Sequence, residues 1–586
     1  MQPSSVSTKS TSLLNRLTET CLRKNLQLGN GRDVRLAGWL LLALGSAFIA
    51  NIARMHEVTH DAFHEMALFR EALVTGTFPT ADVFSYTPTV NPSVHHEWAT
   101  GAVIYFASIG TGLGVTGLVL LKFLLASALW LMLYRVARMR GAHPYIFALL
   151  SFVVFPVLWV GFATLRAQQF TLLFIAIQLW MQELDWRGRR AWVVWWLLML
   201  VAWLNLHAGF VVGAGLIAIH TLERFGAALL RQRSLLAGFQ ATWHLLLTAP
   251  CAVLALRLNP YGWEYIPYLV RAISMPRPLI SEWNPLWHTY MPVLTVAIFL
   301  VSLGLFVYAQ RHTRFSRTPG TLFLAMCTYM ALKHIRHGSI YAIVWIAYVP
   351  AWISHTPLGR ALIATIDKHR TFAVRASQAV VCSSLCFACF YQFWQPTMPP
   401  ERVYSTACYP TGAVDYLKAN QFSGNLLTPF YVGAYVSWEM YPQVKVSLDG
   451  RYEVAYQEQV MPEHNHFLGG EAGWWKLLEK YPTDAVLVHV QAPVVEHFAQ
   501  FTTLAEAEET DTKANPTEAQ HLLPSHIREG WEIVYRDDSF VILAARHCGL
   551  PVVDVRGQAM RDGAHSAFTR EHAHWNESQQ LVNSEH

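Results

Sequence analysis

Between residues 36 and 395 this sequence returns again and again to apolar runs long enough to cross a bilayer, and every second loop between them is basic. A bilayer core takes about 20 apolar residues per helix, and the backbone inside it must satisfy its own hydrogen bonds. About eleven such runs can be read, each near that length. They lie at 36–54, 113–134, 144–163, 168–184, 191–206, 208–222, 237–256, 290–309, 319–333, 339–355 and 377–395. The tight pair at 191–222 also suits a re-entrant hairpin. The segment 98–109 is short and amphipathic, the pattern of an interfacial helix.

The composition points the same way. Hydrophobic residues make up 53% of the 586 and charged residues 14%, where soluble domains average roughly 25% charged. The net charge of +5 comes from short loops rather than one basic face, so nothing predicts a nucleic-acid partner. About 35 largely polar residues precede the first run, too many for the leading region of a signal peptide. An uncleaved first helix entered from the cytoplasm fits better.

The basic loops orient the chain. Arg16, Arg23, Lys24, Arg32 and Arg35 precede the first run. Arg135, Arg138 and Arg140 follow the second, Arg187, Arg189 and Arg190 the fourth, and Arg224, Arg231 and Arg233 the sixth. Arg311, Arg314 and Arg317 follow the eighth, and Arg360, Lys368, Arg370 and Arg375 the tenth. With these in the cytoplasm, an odd number of crossings leaves the C-terminal part outside. The expected organisation is a cytoplasmic tail at 1–35, a transmembrane bundle at 36–395 with an outer loop at 55–98, an extracytoplasmic α/β domain at 396–555, and a disordered polar tail at 556–586.

The domain at 396–555 is expected because charge returns there and strands alternate with helices. TGAVDYLKAN, YVGAYVSWEMY and GWWKLLEKY read as helices, and GNLLTPF, QVKVSLDG and DAVLVHV as strands. WEIVYRDDSFVILAA reads as a hairpin turning at Asp537-Asp538. Cys408 and Cys548 lie in this part, and an extracytoplasmic compartment would permit their pairing. Cys382, Cys386 and Cys389 have helical spacing but sit in an apolar run, where small buried residues are the plainer reading.

Ionisable residues at a membrane edge are candidates for function. The first outer loop holds Asp61, Asp82 and Glu97. Arg166 closes the third run, and Lys333, His334, Arg336 and His337 make a basic cluster on the outer side, against the positive-inside bias. Acids and bases on one face suit a reaction between an anionic lipid headgroup and a nucleophile: an acid takes the proton while Arg and Lys hold the phosphate. Each residue also has a plainer reading. Asp61 could solvate a helix end, and Thr80-Ala81-Asp82 with Ser85 reads well as a turn or cap. Arg166 could snorkel, the 333–337 cluster could anchor headgroups, and Arg277 and Glu282 could pair with each other.

Asp61-Ala-Phe-His-Glu-Met, Gly76-Thr-Phe-Pro79-Thr-Ala-Asp82-Val-Phe-Ser85-Tyr-Thr87 and His96-Glu97-Trp98 resemble the first outer loop of GT-C membrane glycosyltransferases, a class that includes enzymes using dolichyl- or undecaprenyl-phosphate sugars. The chain is most similar to the large bacterial branch of that class, and the likeness extends to the ending WEIVYRDDSFVILAAR. The resemblance implies a GT-C-like helical bundle and inverting transfer from a polyprenyl-phosphate-linked sugar to a glycan, lipid or protein acceptor, at the outer face of the cytoplasmic membrane. It implies an acid in the first outer loop as base, with Asp61 matching best and Asp82 and Glu97 behind it. Arg166, Lys333, Arg336 and His337 would bind the donor phosphate. Asp449, Arg451 and Glu453, chosen on polarity, would meet the acceptor.

His56-Glu57-Val58-Thr59-His60 is a literal H-E-x-x-H, the helical zinc site of metalloproteases. With 26 histidines in the chain, a chance match is not remote, and the protease reading ranks below glycosyl transfer. No cofactor is required by the sequence. A divalent metal held by His60, His64, His95 or His96 is a separate expectation. The other alternative is a non-enzymatic transporter or envelope-assembly scaffold. A transporter should show internal repeats or mid-membrane acids; no clear repeat is visible, and acids are scarce inside the runs.

Overall fold

The computed structural model describes residues 31–53, 58–159, 161–162, 164–275, 277, 280–288, 293–313, 318–390, 409–498 and 524–556. His56 and Glu57 of the H-E-x-x-H string, Cys408 and with it the Cys408–Cys548 pairing, and both chain tails lie outside them. The chain forms two compact units. One takes in 1–55, 120–258 and 276–397; the other takes in 56–119, 259–275 and 398–586.

The protein is mostly helical, and 6 helices are long and apolar enough to cross a membrane: Asp33–Ile52, Val115–Met139, Phe210–Gln232, Leu235–Leu258, Val293–His312 and Arg370–Cys389. It is an integral membrane protein. The other expected runs are helical but shorter or more polar. Gln168–Trp186, for example, carries Gln178, Gln182, Glu183 and Asp185 on its buried side. Leu120, Leu124 and Leu131 of Val115–Met139 are exposed, an apolar surface that suits lipid rather than water.

In the helical unit, Gly338–Ser354 is buried along its whole length. Its sequence is apolar on every face, as a helix surrounded by other helices requires. Polar pins fix its surroundings. Asp185 accepts hydrogen bonds from Trp192 Nε1 (3.2 Å), His220 Nε2 (2.9 Å) and His244 Nε2 (2.6 Å), with Arg224 Nε at 3.3 Å. The Glu223 carboxylate accepts from the backbone N–H of Gly320 (2.8 Å) and Leu322 (2.9 Å), capping the helix Thr321–Lys333.

The second unit is built on a six-stranded mixed sheet. Its strands are β1 (Gly424–Leu427), β2 (Val444–Val446), β3 (Ala485–His489), β4 (Trp531–Arg536), β5 (Phe540–Ala545) and β6 (Val553–Asp554), in the order β2-β1-β3-β5-β4-β6. β1 runs parallel to β2 and β3, β5 runs antiparallel to β3 and β4, and β6 runs parallel to β4. The expected hairpin is β4–β5, and Asp537 Oδ1 accepts from the backbone of Ser539 and Phe540 to shape its turn.

Residues 84–90 are stitched to the sheet of this unit. Val446 N donates to Phe84 O (2.9 Å), Tyr86 N to Val446 O (3.1 Å) and Val90 N to Ala455 O (2.8 Å). The loop thereby covers the free edge of β2. The helix His60–Thr75 joins the same unit: Tyr409 Oη donates to Val58 O (2.6 Å), Arg70 Nη2 donates to Trp438 O (2.8 Å), and Arg70 lies 4.4 Å over the Trp438 ring.

Candidate active site

Asp61 stands in the first turn of the helix His60–Thr75, after Thr59 in an extended conformation. There an acidic side chain is favoured by the helix dipole. His60 Nε2 lies 3.3 Å from Asp61 Oδ1, and the Asp61 side chain is 28% exposed. Gly450 is packed beside both residues. A Cβ at Gly450 would come 2.7 Å from His60 Cδ2 and 3.5 Å from Asp61 Oδ1, so the loop after β2 reaches this close only because it carries glycine.

One helical turn further, His64 and Glu65 are directed inward. Glu65 is buried, and among the described residues no hydrogen-bond donor reaches either of its carboxyl oxygens. Its neighbour is another carboxyl, Glu97. Burial first, then Glu97 and Asp61, push Glu65 well above the usual glutamate range, which favours its protonated form. Burial likewise lowers His64, against the pull of Asp61 and Asp449, and holds His95 well below the usual histidine value, with Arg451 adding to the effect. Both imidazoles are neutral. His64 Nδ1 and His95 Nε2 have no hydrogen-bond partner among the described residues.

Glu97 precedes the helix Trp98–Tyr105. Its Oε1 lies 3.1 Å from His96 Nε2, and His96 Nδ1 lies 2.8 Å from Tyr268 Oη. The His96 and Tyr268 rings stack with centroids 5.0 Å apart. The helices carrying Glu65 and Glu97 touch closely, since a Cβ at Gly101 would fall 2.2 Å from the Glu65 carbonyl oxygen.

Asp82, Asp449 and Arg451 form a second part of this cluster. Arg451 Nε donates to both Asp449 oxygens (2.9 and 3.0 Å), Nη2 donates to Asp449 Oδ2 (2.6 Å), and Nη1 donates to Asp82 Oδ1. Asp82 Oδ2 accepts from Ser85 N at 2.7 Å, the turn its spacing suggested. All three side chains are essentially buried. Burial works to raise Asp449, but the Arg451 guanidinium holds it below the usual aspartate range, and the two carboxylates raise Arg451. In this arrangement Asp449 and Arg451 face each other rather than solvent, because two buried charges need each other more than a passing ligand. Glu453 lies in the short helix Tyr452–Ala455, but its side chain lies outside the described residues.

The candidate phosphate-binding residues belong to the helical unit, where Arg277 and the segment 334–337 meet at Trp283. Arg336 lies 4.7 Å and Arg277 4.4 Å over its ring. The His334 and His337 rings stand 5.0 and 6.3 Å from it. Arg166 Nη1 is paired with Glu282, the neighbour of Trp283 in sequence. Gln168 Nε2 donates to Arg336 O at 3.3 Å. Burial, then Arg336, pushes His337 down to about 4, leaving a neutral donor. Lys333 is exposed at the end of its helix.

Two important residues escaped the sequence reading. Trp283 had no charge to draw attention. Glu65 had a signal: it follows Asp61 by four positions on one helix face, between Phe63 and Met66, where an acid has no ordinary reason to be.

No protein-family model matches the chain, and no curated protein matches it. The chain is similar to several solved structures. One is the Archaeoglobus fulgidus oligosaccharyltransferase in complex with Zn and sulfate, at 12% identity and a TM-score of 0.44, over 78% of this chain and 69% of that one. Another is the arabinofuranosyltransferase AftD from Mycobacteria, at 14% identity and a TM-score of 0.46, over 86% of this chain. This chain spans 40% of the AftD chain. The likeness is thus to membrane glycosyltransferases, at low identity.

Proposed function

We propose that the protein is a membrane glycosyltransferase that moves a sugar from a polyprenyl-phosphate donor to an acceptor hydroxyl at the outer face of the cytoplasmic membrane. The observation that carries this reading is Asp61. Its side chain is partly open to solvent, whereas Asp82 and Asp449 are buried on Arg451 and Glu65 is buried with its pKa raised. A protonated Glu65 spares Asp61 and Glu97 a third full negative charge nearby.

In the proposed reaction Asp61 takes the acceptor proton as the hydroxyl oxygen attacks the anomeric carbon from the face opposite the leaving group. The anomeric C–O bond breaks, its electron pair stays on the phosphate oxygen, and the configuration inverts. Glu97, His96 and Tyr268 form a hydrogen-bonded chain in the same unit. Within the helical unit, Arg336, Lys333 and Arg166 are the candidates for a phosphate, because a guanidinium or ammonium stabilises its negative charge. Trp283 holds Arg336 in orientation through its ring face.

The test is glycan product formed by membranes supplied with polyprenyl-phosphate sugars. Asp61→Asn should abolish it while the protein remains folded; product at the unaltered rate would remove Asp61 as base. A polyprenyl phosphate found by mass spectrometry in the purified protein would support the donor class.

A further inference from the structure

We infer that Asp484, His547 and Cys548 form a binding site for a thiophilic divalent cation, of which Zn2+ is the archetype. Their donors are a carboxylate oxygen, an imidazole nitrogen and a thiol sulfur, and these atoms all lie within 4.8 Å of one another. Among the described residues this is the group of three such donors that comes so close; the four histidines 60, 64, 95 and 96 do not form one.

The sheet sets the spacing. Asp484 immediately precedes β3, and His547 and Cys548 belong to the single turn Arg546–Cys548 that follows β5. β3 and β5 are paired neighbours, with Ala485 opposite Ala544, and Ala545 N donates to Asp484 O at 2.8 Å. The ladder that joins the strands therefore holds the three side chains at one end of the sheet. A site on paired strands is held more firmly than one on a loop.

The donors are also oriented. Asp484 Oδ2 accepts from Asn425 N at 2.8 Å, which turns Oδ1 toward His547 Nε2 at 3.1 Å. Cys548 Sγ points back at the Asp484 carbonyl, 3.5 Å away. Zinc bonds of about 2.0–2.3 Å put tetrahedral ligand atoms roughly 3.3–3.7 Å apart. The oxygen–nitrogen separation is already near that value, and the sulfur needs a rotation about its own side chain. Asn425 supplies the outer hydrogen bond that fixes a ligating carboxylate.

The donor set selects the ion. Oxygen, nitrogen and sulfur together suit Zn2+ and exclude the oxygen-seeking Mg2+ and Ca2+. The His547 side chain is 70% exposed and Asp484 31%, so an ion can enter and three protein donors leave a position for water. The bond change is simple: the thiol gives up its proton, the thiolate binds the ion, and one proton is released per ion.

The full-length protein, purified without a histidine tag and stripped with a chelator, is titrated with Co2+ and then Zn2+. The expected result is a thiolate-to-cobalt absorption band that saturates at one ion per chain, is erased by Zn2+ and is unaffected by excess Mg2+. It is absent in Cys548→Ser and shifted at least tenfold to weaker binding in His547→Ala and Asp484→Asn. The near-isosteric serine variant keeps the fold, which an unchanged melting temperature without metal confirms. A band that survives Cys548→Ser, no band at all, or Cys548 found by peptide mass spectrometry in a disulfide with Cys408 overturns the site. None of these readouts depends on glycosyl transfer.

Discussion

The Arg451 guanidinium grips the Asp449 carboxylate with two nitrogens, Nε at 2.9 Å and Nη2 at 2.6 Å, in a setting almost sealed from solvent. Its third nitrogen goes to Asp82, 369 positions earlier in the chain. One side chain therefore ties the segment around Asp82 to the loop after β2 and serves two buried carboxylates with a single positive charge. A buried pair of this kind is weak evidence of net stabilisation, yet removing one partner strands the others.

Arg451→Met should therefore destabilise the protein by about 3–5 kcal/mol, since it leaves two uncompensated buried carboxylates. Thermal melting of the purified protein reads this directly. Asp449 adds a pH signature. Its folded pKa is depressed by Arg451, so its contribution is fully present above the ordinary aspartate pKa and is lost as pH falls through the lower folded value. The acid limb of the stability profile should flatten in Arg451→Met; an unchanged acid limb counts against the pair.

Glu65 predicts the opposite slope. Its folded pKa is raised well above the unfolded value. The folded state keeps a proton that the unfolded state has lost, and stability should fall as pH rises above the ordinary glutamate pKa toward the folded value. The limiting slope is about 1.4 kcal/mol per pH unit. His64 and His95, both lowered in the fold, act mainly below their ordinary value, so the alkaline side isolates Glu65. Melting temperatures should decline in the unaltered protein as pH rises above the ordinary glutamate pKa and stay flatter in Glu65→Gln. Parallel profiles would mean that Glu65 is ionised in the fold.

Asp61 and Asp82 should separate by readout. Asp61→Asn, at a partly exposed position, should change stability by less than about 0.5 kcal/mol and reduce transfer by about 100-fold or more, the usual worth of a general base. Asp82→Asn breaks a buried ion pair and a turn, so its first effect should be on melting temperature. Assaying both variants for product and for melting settles the contrast; the reverse pattern would make Asp82 the base.

Asp185→Ala should destabilise the helical unit by about 3–5 kcal/mol, because His220, His244 and Arg224 lose their shared carboxylate in a buried setting. Detergent melting measures it. Transfer activity per folded molecule should be unchanged at temperatures where the variant is still folded.

Much of the architecture was legible in residue order. Apolar length marked the helices, and 6 of them carry the full crossing signature. Alternation marked the strands, and an aspartate pair marked the β4–β5 turn. These are local properties: the period of a helix or strand, the length of a run and the chemistry of a turn are all written in neighbouring residues. Asp61 was legible for the same reason, as an acid beside the end of an apolar run.

Only the tertiary structure decided which polar residues share a place. It joined Asp82 to Arg451, set Gly450 against Asp61, buried Glu65 against Glu97, paired Arg166 with Glu282, laid Arg336 over Trp283, and put Asp484 beside His547 and Cys548. Each of these relationships spans residues whose order in the chain says nothing of their distance. A charge becomes a partner, a neutral acid or a ligand according to what surrounds it, and that surrounding exists only once the chain has folded.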